Sequence, residues 1–185
     1  MTAPDLRAAR LRDVQRTFRN YKSLGEGAMA QVPDVDLHTL VDPDANSIAI
    51  VMKHVAGNLR SRFTGFLTSD GEKPDRHRDG EFEIEGAASR GEVLRWWDAG
   101  WTIALASIDA LAPQDLDRTV HIRGEAFLVV EALNRSATHT AYHVGQIVML
   151  ARHFAGASWT SLSIPKGRSA EFAKGAFKDG MIPRR

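Results

Sequence analysis

Apolar residues return at every third or fourth position along four separate stretches of this 185-residue chain. That spacing fixes what it can fold into, because a stripe of helical period must be buried against another element. The first stretch predicts a helix from Asp5 to about Ala30, with Leu6, Ala9, Val14, Phe18 and Tyr21 near helical spacing and Pro33 beyond its end. The second is capped by Asn46 or Ser47 and runs to about Leu67 on Ile48, Val51, Val55, Leu59, Phe63 and Phe66. Ser89 opens the third, with Glu92 completing a capping box, and Leu94, Trp97, Trp101, Leu105 and Ile108 form its stripe up to Ala112-Pro113. The fourth starts near Glu125 and runs to Phe154, with Gly156 past its end. Four long amphipathic helices in one small chain predict an all-α four-helix bundle spanning residues 1–185 as a single domain.

The intervening segments are of three kinds. Ser69 to Gly86 is a long polar loop with two Asp-Gly turns, and loops of that length in compact domains are usually functional or disordered. Arg118 to Arg123 (RTVHIR) alternates enough for a strand or a hairpin arm. The segment after the fourth helix is rich in Ser and Gly and reads as a C-terminal tail packed over the domain.

Charge and cysteine content exclude several classes of function. Lys and Arg total 24 against 23 for Asp and Glu, a net charge of +1, which supplies no global field for nucleic acid or an anionic membrane. No cysteine is present, so disulfides, thiolate metal sites and cysteine nucleophiles are absent, in keeping with a reducing, cytoplasmic setting. MTAPDLRAARLRDVQ has no apolar core for a signal peptide, and apolar runs such as Ile48 to Met52 are far too short to span a bilayer.

Chemistry concentrates in the histidines. His139 and His143 sit four apart on the fourth helix, one turn above each other, so both imidazoles leave the same face. They read as part of the apolar stripe Leu133, Ala137, His139, His143, Ile147 and Leu150. A histidine on an apolar face is usually a satisfied core residue. His54, at the edge of the second helix's stripe, shifts that balance: two histidines one turn apart plus a third from a facing helix form a three-nitrogen metal site with open positions. Three unligated imidazoles in one small core would be expensive to bury. Three imidazoles suit zinc, nickel, iron, manganese or copper. His38, His77, His121 and His153 fall in loops or at helix ends, where solvent-exposed roles suffice.

Asn58 and Arg62 follow His54 on the same side of its helix, placed either to line the mouth of a pocket, with Arg62 gripping an anionic substrate, or to pair with loop carboxylates. Gln146 and Tyr142 are partners for a ligating imidazole or ordinary polar residues near a helix end. Thr140 stands where the zinc-protease motif HExxH needs Glu, so that chemistry is not expected. Gly25-Glu26-Gly27 with Ala30 fits GxGxxA but follows a helix instead of a strand, and no phosphate loop or GxSxG elbow occurs. Trp97 and Trp101 at four apart read as core. Trp96, Val93 and Ile103 give the third helix a second apolar edge, the surface a homodimer would use.

With His54 on the second helix and HTAYHVGQIVML on the fourth, the chain resembles the DinB-like superfamily of metal-binding four-helix bundles. More narrowly, NSIAIVMKHVAGNLRSRFTGFLTSDGEKPDRHRDGEF and SWTSLSIPKGRS look like a bacterial branch described as a domain of unknown function. The resemblance implies one metal ligand from helix two and two from helix four, falling on His54, His139 and His143. It also implies a bound divalent metal such as zinc or nickel, a cytoplasmic location, and frequent dimers. Related bundles include S-transferases using low-molecular-weight thiols, a maleylpyruvate isomerase, and members without known activity. A thiol S-transferase acting on a small-molecule thiol and an electrophile is the expected function. A metal-dependent hydrolase or isomerase, or a non-catalytic metal-stabilised binding protein related to stress, is the alternative.

Overall fold

Ser47 acts as the cap read from the sequence, and Asp5, read as the first residue of its helix, caps it instead; each accepts a backbone N–H from three residues on, Ile50 at 3.3 Å and Ala8 at 3.1 Å. The computed structural model describes residues 5–84, 86 and 88–171. It contains four helices, α1 (Leu6–Met29), α2 (Ile48–Phe63), α3 (Arg90–Asp109) and α4 (Val129–Ala155), with a small hairpin β1 (Thr119–Ile122) and β2 (Glu125–Leu128) before the last. The expected all-α bundle is what forms. No helix among the described residues is long and apolar enough to cross a membrane.

Around the bundle α1 lies against α4, α4 against α2, α2 against α3, and α3 returns to α1. The α2–α3 contact is the most extensive, and Gly100 explains why. A Cβ there would come within 2.5 Å of the Ala56 carbonyl oxygen, so only glycine lets the two backbones approach this closely. Phe18 of α1 meets Phe63 of α2 and Trp101 of α3 edge-on at centroid distances of 5.7 and 6.2 Å, locking three helices through quadrupole-matched contacts. Trp97 and Trp101 are both fully buried, as their spacing suggests.

Two boundaries and one apolar face differ from the sequence reading. Helix α2 stops at Phe63 rather than Leu67, because Thr64 turns extended and Gly65 takes φ of +57°, where Thr68 and Ser69 close a turn on its carbonyl. Helix α4 starts at Val129 and not Glu125, since Glu125–Leu128 pairs antiparallel with the RTVHIR arm, Thr119 facing Leu128 and Ile122 facing Glu125. The two-residue loop has positive φ at both Arg123 and Gly124, the backbone that suits a tight hairpin. On α3, Val93 is wholly buried in the core, and Trp96 and Ile103 are half-buried against it, so the second apolar edge read for a homodimer largely belongs to the monomer's own core.

Through its described residues the tail packs on the domain, as the sequence reading has it. Its described part runs beside α1, where Gln31 exchanges hydrogen bonds with Thr160 and Leu162 packs over Gly27. Residues 172–185 lie outside the described residues.

Candidate metal centre

Helices α2 and α4 are neighbours, and that adjacency carries residue 54 to residues 139 and 143. The buried stripe of α4 is Val129, Leu133, Ser136, Thr140, Val144, Ile147 and Ala151. His139 and His143 each precede a member of it by one position, so they sit on its flank, about 100° around the helix and half-buried, and not within the stripe as the sequence suggested. From there they meet His54, itself only 3% exposed.

The three rings converge. Centroids are 5.3 Å apart for His54 and His139, 4.8 Å for His54 and His143, and 4.6 Å for His139 and His143. The ligand atoms all lie within 4.8 Å of one another. His54 Nε2 and His139 Nε2 are 3.3 Å apart. Two imidazole nitrogens bound to one tetrahedral ion at 2.0–2.1 Å are separated by about 3.3 Å, so this edge of the site already has the spacing a zinc-like ion requires.

Tautomers follow from the outer partners. Glu81 accepts from His54 Nδ1 at 2.8 Å, so the proton sits on Nδ1 and the lone pair of Nε2 faces His139. The Gln146 amide oxygen accepts from His143 Nδ1 at 2.8 Å and frees Nε2 in the same way. Burial, with His143, His54, Arg62 and Arg76 adding to it, pushes the His139 pKa down to about 4, and burial with His54 also lowers that of His143 despite the Gln146 bond. Both rings are therefore neutral at pH 7, the form that ligates a metal. A lone pair opposing a ring nitrogen at hydrogen-bond distance, in a pocket that disfavours protonation, is a position a cation satisfies.

The polar loop supplies the rest. Its 3-10 turn at Asp79–Phe82 brings Glu81 onto His54 and sets the Phe82 ring 4.6 Å from the imidazole. Glu81 is 7% exposed, and Arg76 donates to both its oxygens at 2.8 and 2.9 Å. Burial opposes its charge, but the donors from His54 and Arg76 outweigh that and hold the carboxyl below the usual range. Gly57 makes room: a Cβ there would fall 2.4 Å from Glu81 Oε1. A cavity of about 380 Å³ opens beside His54 and His139, and Asn58, Arg62 and Arg76 line it with them.

A family model matches residues 5–168. The chain belongs to that family, described as "Protein of unknown function (DUF1572)". No curated protein matches it.

In this DUF1572 protein the residues read from sequence are distributed unevenly around the centre. His54, His139 and His143 come together, Gln146 holds His143, and Asn58 lines the adjoining cavity. Tyr142 is 65% exposed and touches only the edge of the His143 ring, at 4.9 Å. Arg62 lines the cavity too, yet its guanidinium grips Glu72 at 3.0 and 3.1 Å and the Gly71 carbonyl, fastening the polar loop to α2. Of the loop and tail groups expected at the rim, Arg76 and Arg78 line the cavity, whereas Lys73 faces a separate groove. Ser161 and Ser163 bond to each other away from it. Glu81 is the functional residue that sequence reading misses. Its only sequence signal is Gly57, a mid-helix glycine three positions after a candidate ligand.

Proposed function

We propose that this protein is a DinB-like, metal-dependent enzyme that joins a low-molecular-weight thiol to an electrophile. What supports the reading above all is the convergence of three imidazoles on one point at the edge of a small-molecule-sized cavity. The donor set fits a divalent ion, zinc or nickel foremost: three imidazole nitrogens, two of the rings held from outside by Glu81 and Gln146, and an open side toward the cavity. Such an ion supplies the Lewis acidity that brings the pKa of a bound thiol toward neutrality. The chain does the rest. Glu81 and Gln146 hold the rings in place, Phe82 keeps water from one face of His54, and Asn58 offers an amide to the reacting molecule.

Thiol transfer is favoured over hydrolysis or isomerisation because no carboxylate among the described residues lines the cavity, and Glu81 is already committed to His54 and Arg76. Hydrolysis assisted by a carboxylate base finds no such group on this lining. We place the protein in the cytoplasm, where small thiols are kept reduced, with small molecules and not nucleic acid or membrane as its partners.

Elemental analysis of protein purified without an affinity tag should find one divalent ion per chain, and H139A or H143A should lose it. Turnover of a model electrophile with a panel of small thiols should follow the metal. A wild-type protein that binds metal but turns over no faster than H143A across the panel would be a metal-stabilised binding protein instead.

A further inference from the structure

Five arginines line the cavity beside His54 and His139: Arg62, Arg76, Arg78, Arg123 and Arg135. Arg62 and Arg76 are consumed by Glu72 and Glu81. The other three are not. Arg123 uses only its Nε, on Glu72 at 3.0 Å. Arg78 comes no closer than 3.8 Å to Asp79 and lies over the Phe82 ring. Arg135 lies over the Phe127 ring and forms no ion pair among the described residues. A protein whose net charge is +1 thus brings five of its 24 Lys and Arg side chains to one small cavity and keeps carboxylates off its lining.

A second observation points the same way. Ser136 lines this cavity, is 6% exposed, and its hydroxyl has no hydrogen-bond partner. Asn58, 8% exposed, lines it as well. A buried hydroxyl left unpaired is costly, and this one sits on the lining that carries the arginines and the Asn58 amide. One kind of ligand satisfies all of them, an anion with several acceptor oxygens. At about 380 Å³ the cavity is at the small end of ligand sites, so the ligand is a small acid and not a polymer.

We propose that this cavity is an anion subsite, in which Arg78, Arg123, Arg135, Ser136 and Asn58 hold the carboxylate or phosphate group of the molecule on which the histidine centre acts. The second half of that statement rests on the metal-enzyme reading. The anion site itself does not.

The test is calorimetric titration of the full chain with succinate and with inorganic phosphate at fixed ionic strength, in metal-free and zinc-loaded forms. At least one probe should bind saturably in both forms, and whichever binds tighter identifies the group. R78Q and R135Q, both at exposed positions, should each weaken it about tenfold, while R60Q on the far side of α2 changes nothing. Absence of saturable binding by either probe overturns the inference. So does binding seen only with zinc and untouched by R78Q and R135Q, which would put the anion on the ion. If no metal binds the histidines yet R78Q and R135Q still weaken succinate or phosphate, the anion site stands and only the metal reading falls.

Discussion

Glu81 shows how much one side chain outside the ligand set can control. It fixes the tautomer of His54 and neutralises Arg76, whose side chain is only 5% exposed. Replacing it with Gln should lower zinc affinity by about tenfold to a hundredfold, read by competition with a chromophoric chelator. The same variant should lose about 2 kcal/mol in urea unfolding, because Arg76 keeps only Glu72, at 3.3 Å, as a counter-charge. Arg62 makes the complementary case. With its guanidinium held by Glu72 and Gly71, R62A should retain metal and cost about 2–3 kcal/mol of stability. A variant with native stability and weakened substrate binding would return Arg62 to the ligand-gripping role. At this scale the histidines were legible because type and spacing both mark them. Glu81 was not, since EFEIE offers three glutamates in a loop and only the fold decides which one turns inward.

Among the elements, the hairpin and the polar loop hold each other. Asp70 accepts from the backbone N–H groups of Glu72, Arg123 and Gly124 at 2.7, 2.8 and 2.7 Å, clasping the loop to the hairpin turn. Those bonds hold its pKa at about 2, below the ordinary 3.8. A carboxyl with a depressed folded-state pKa stabilises above its unfolded value, and that contribution is lost as pH falls from about 4 toward 2. Solvent screening discounts it to about 1 kcal/mol. D70N should therefore raise amide exchange at Arg123 and Gly124 at neutral pH, and the wild type should approach the variant near pH 2. Protection unchanged by D70N would remove the clasp. The start of α4 was illegible for a related reason: Glu125–Leu128 is a weak local sequence whose state is set by pairing with Thr119–Ile122, a contact that helical periodicity does not report. The long helices, by contrast, carry their caps and stripes in the sequence itself.

For the whole molecule, the centre joins α2 to α4, and binding to the folded state alone must stabilise the fold. Zinc at a hundredfold excess over its Kd adds about 2.7 kcal/mol. For a chain of this size that corresponds to a rise in Tm of about 5–10 °C over the chelated protein, measured by scanning calorimetry. An equal Tm with and without zinc would mean that no ion binds the native fold.

His54 and His139 stand 85 positions apart in a chain that contains no cysteine. The ion we propose between them would be the nearest thing this molecule has to a covalent cross-link, closing a loop that a disulfide would close elsewhere. Unlike a disulfide, such a link breaks and re-forms with the ion's own exchange rate. The lifetime of the native state under protease challenge should then follow how fast the metal leaves, and a strong chelator should shorten it where a reductant does nothing.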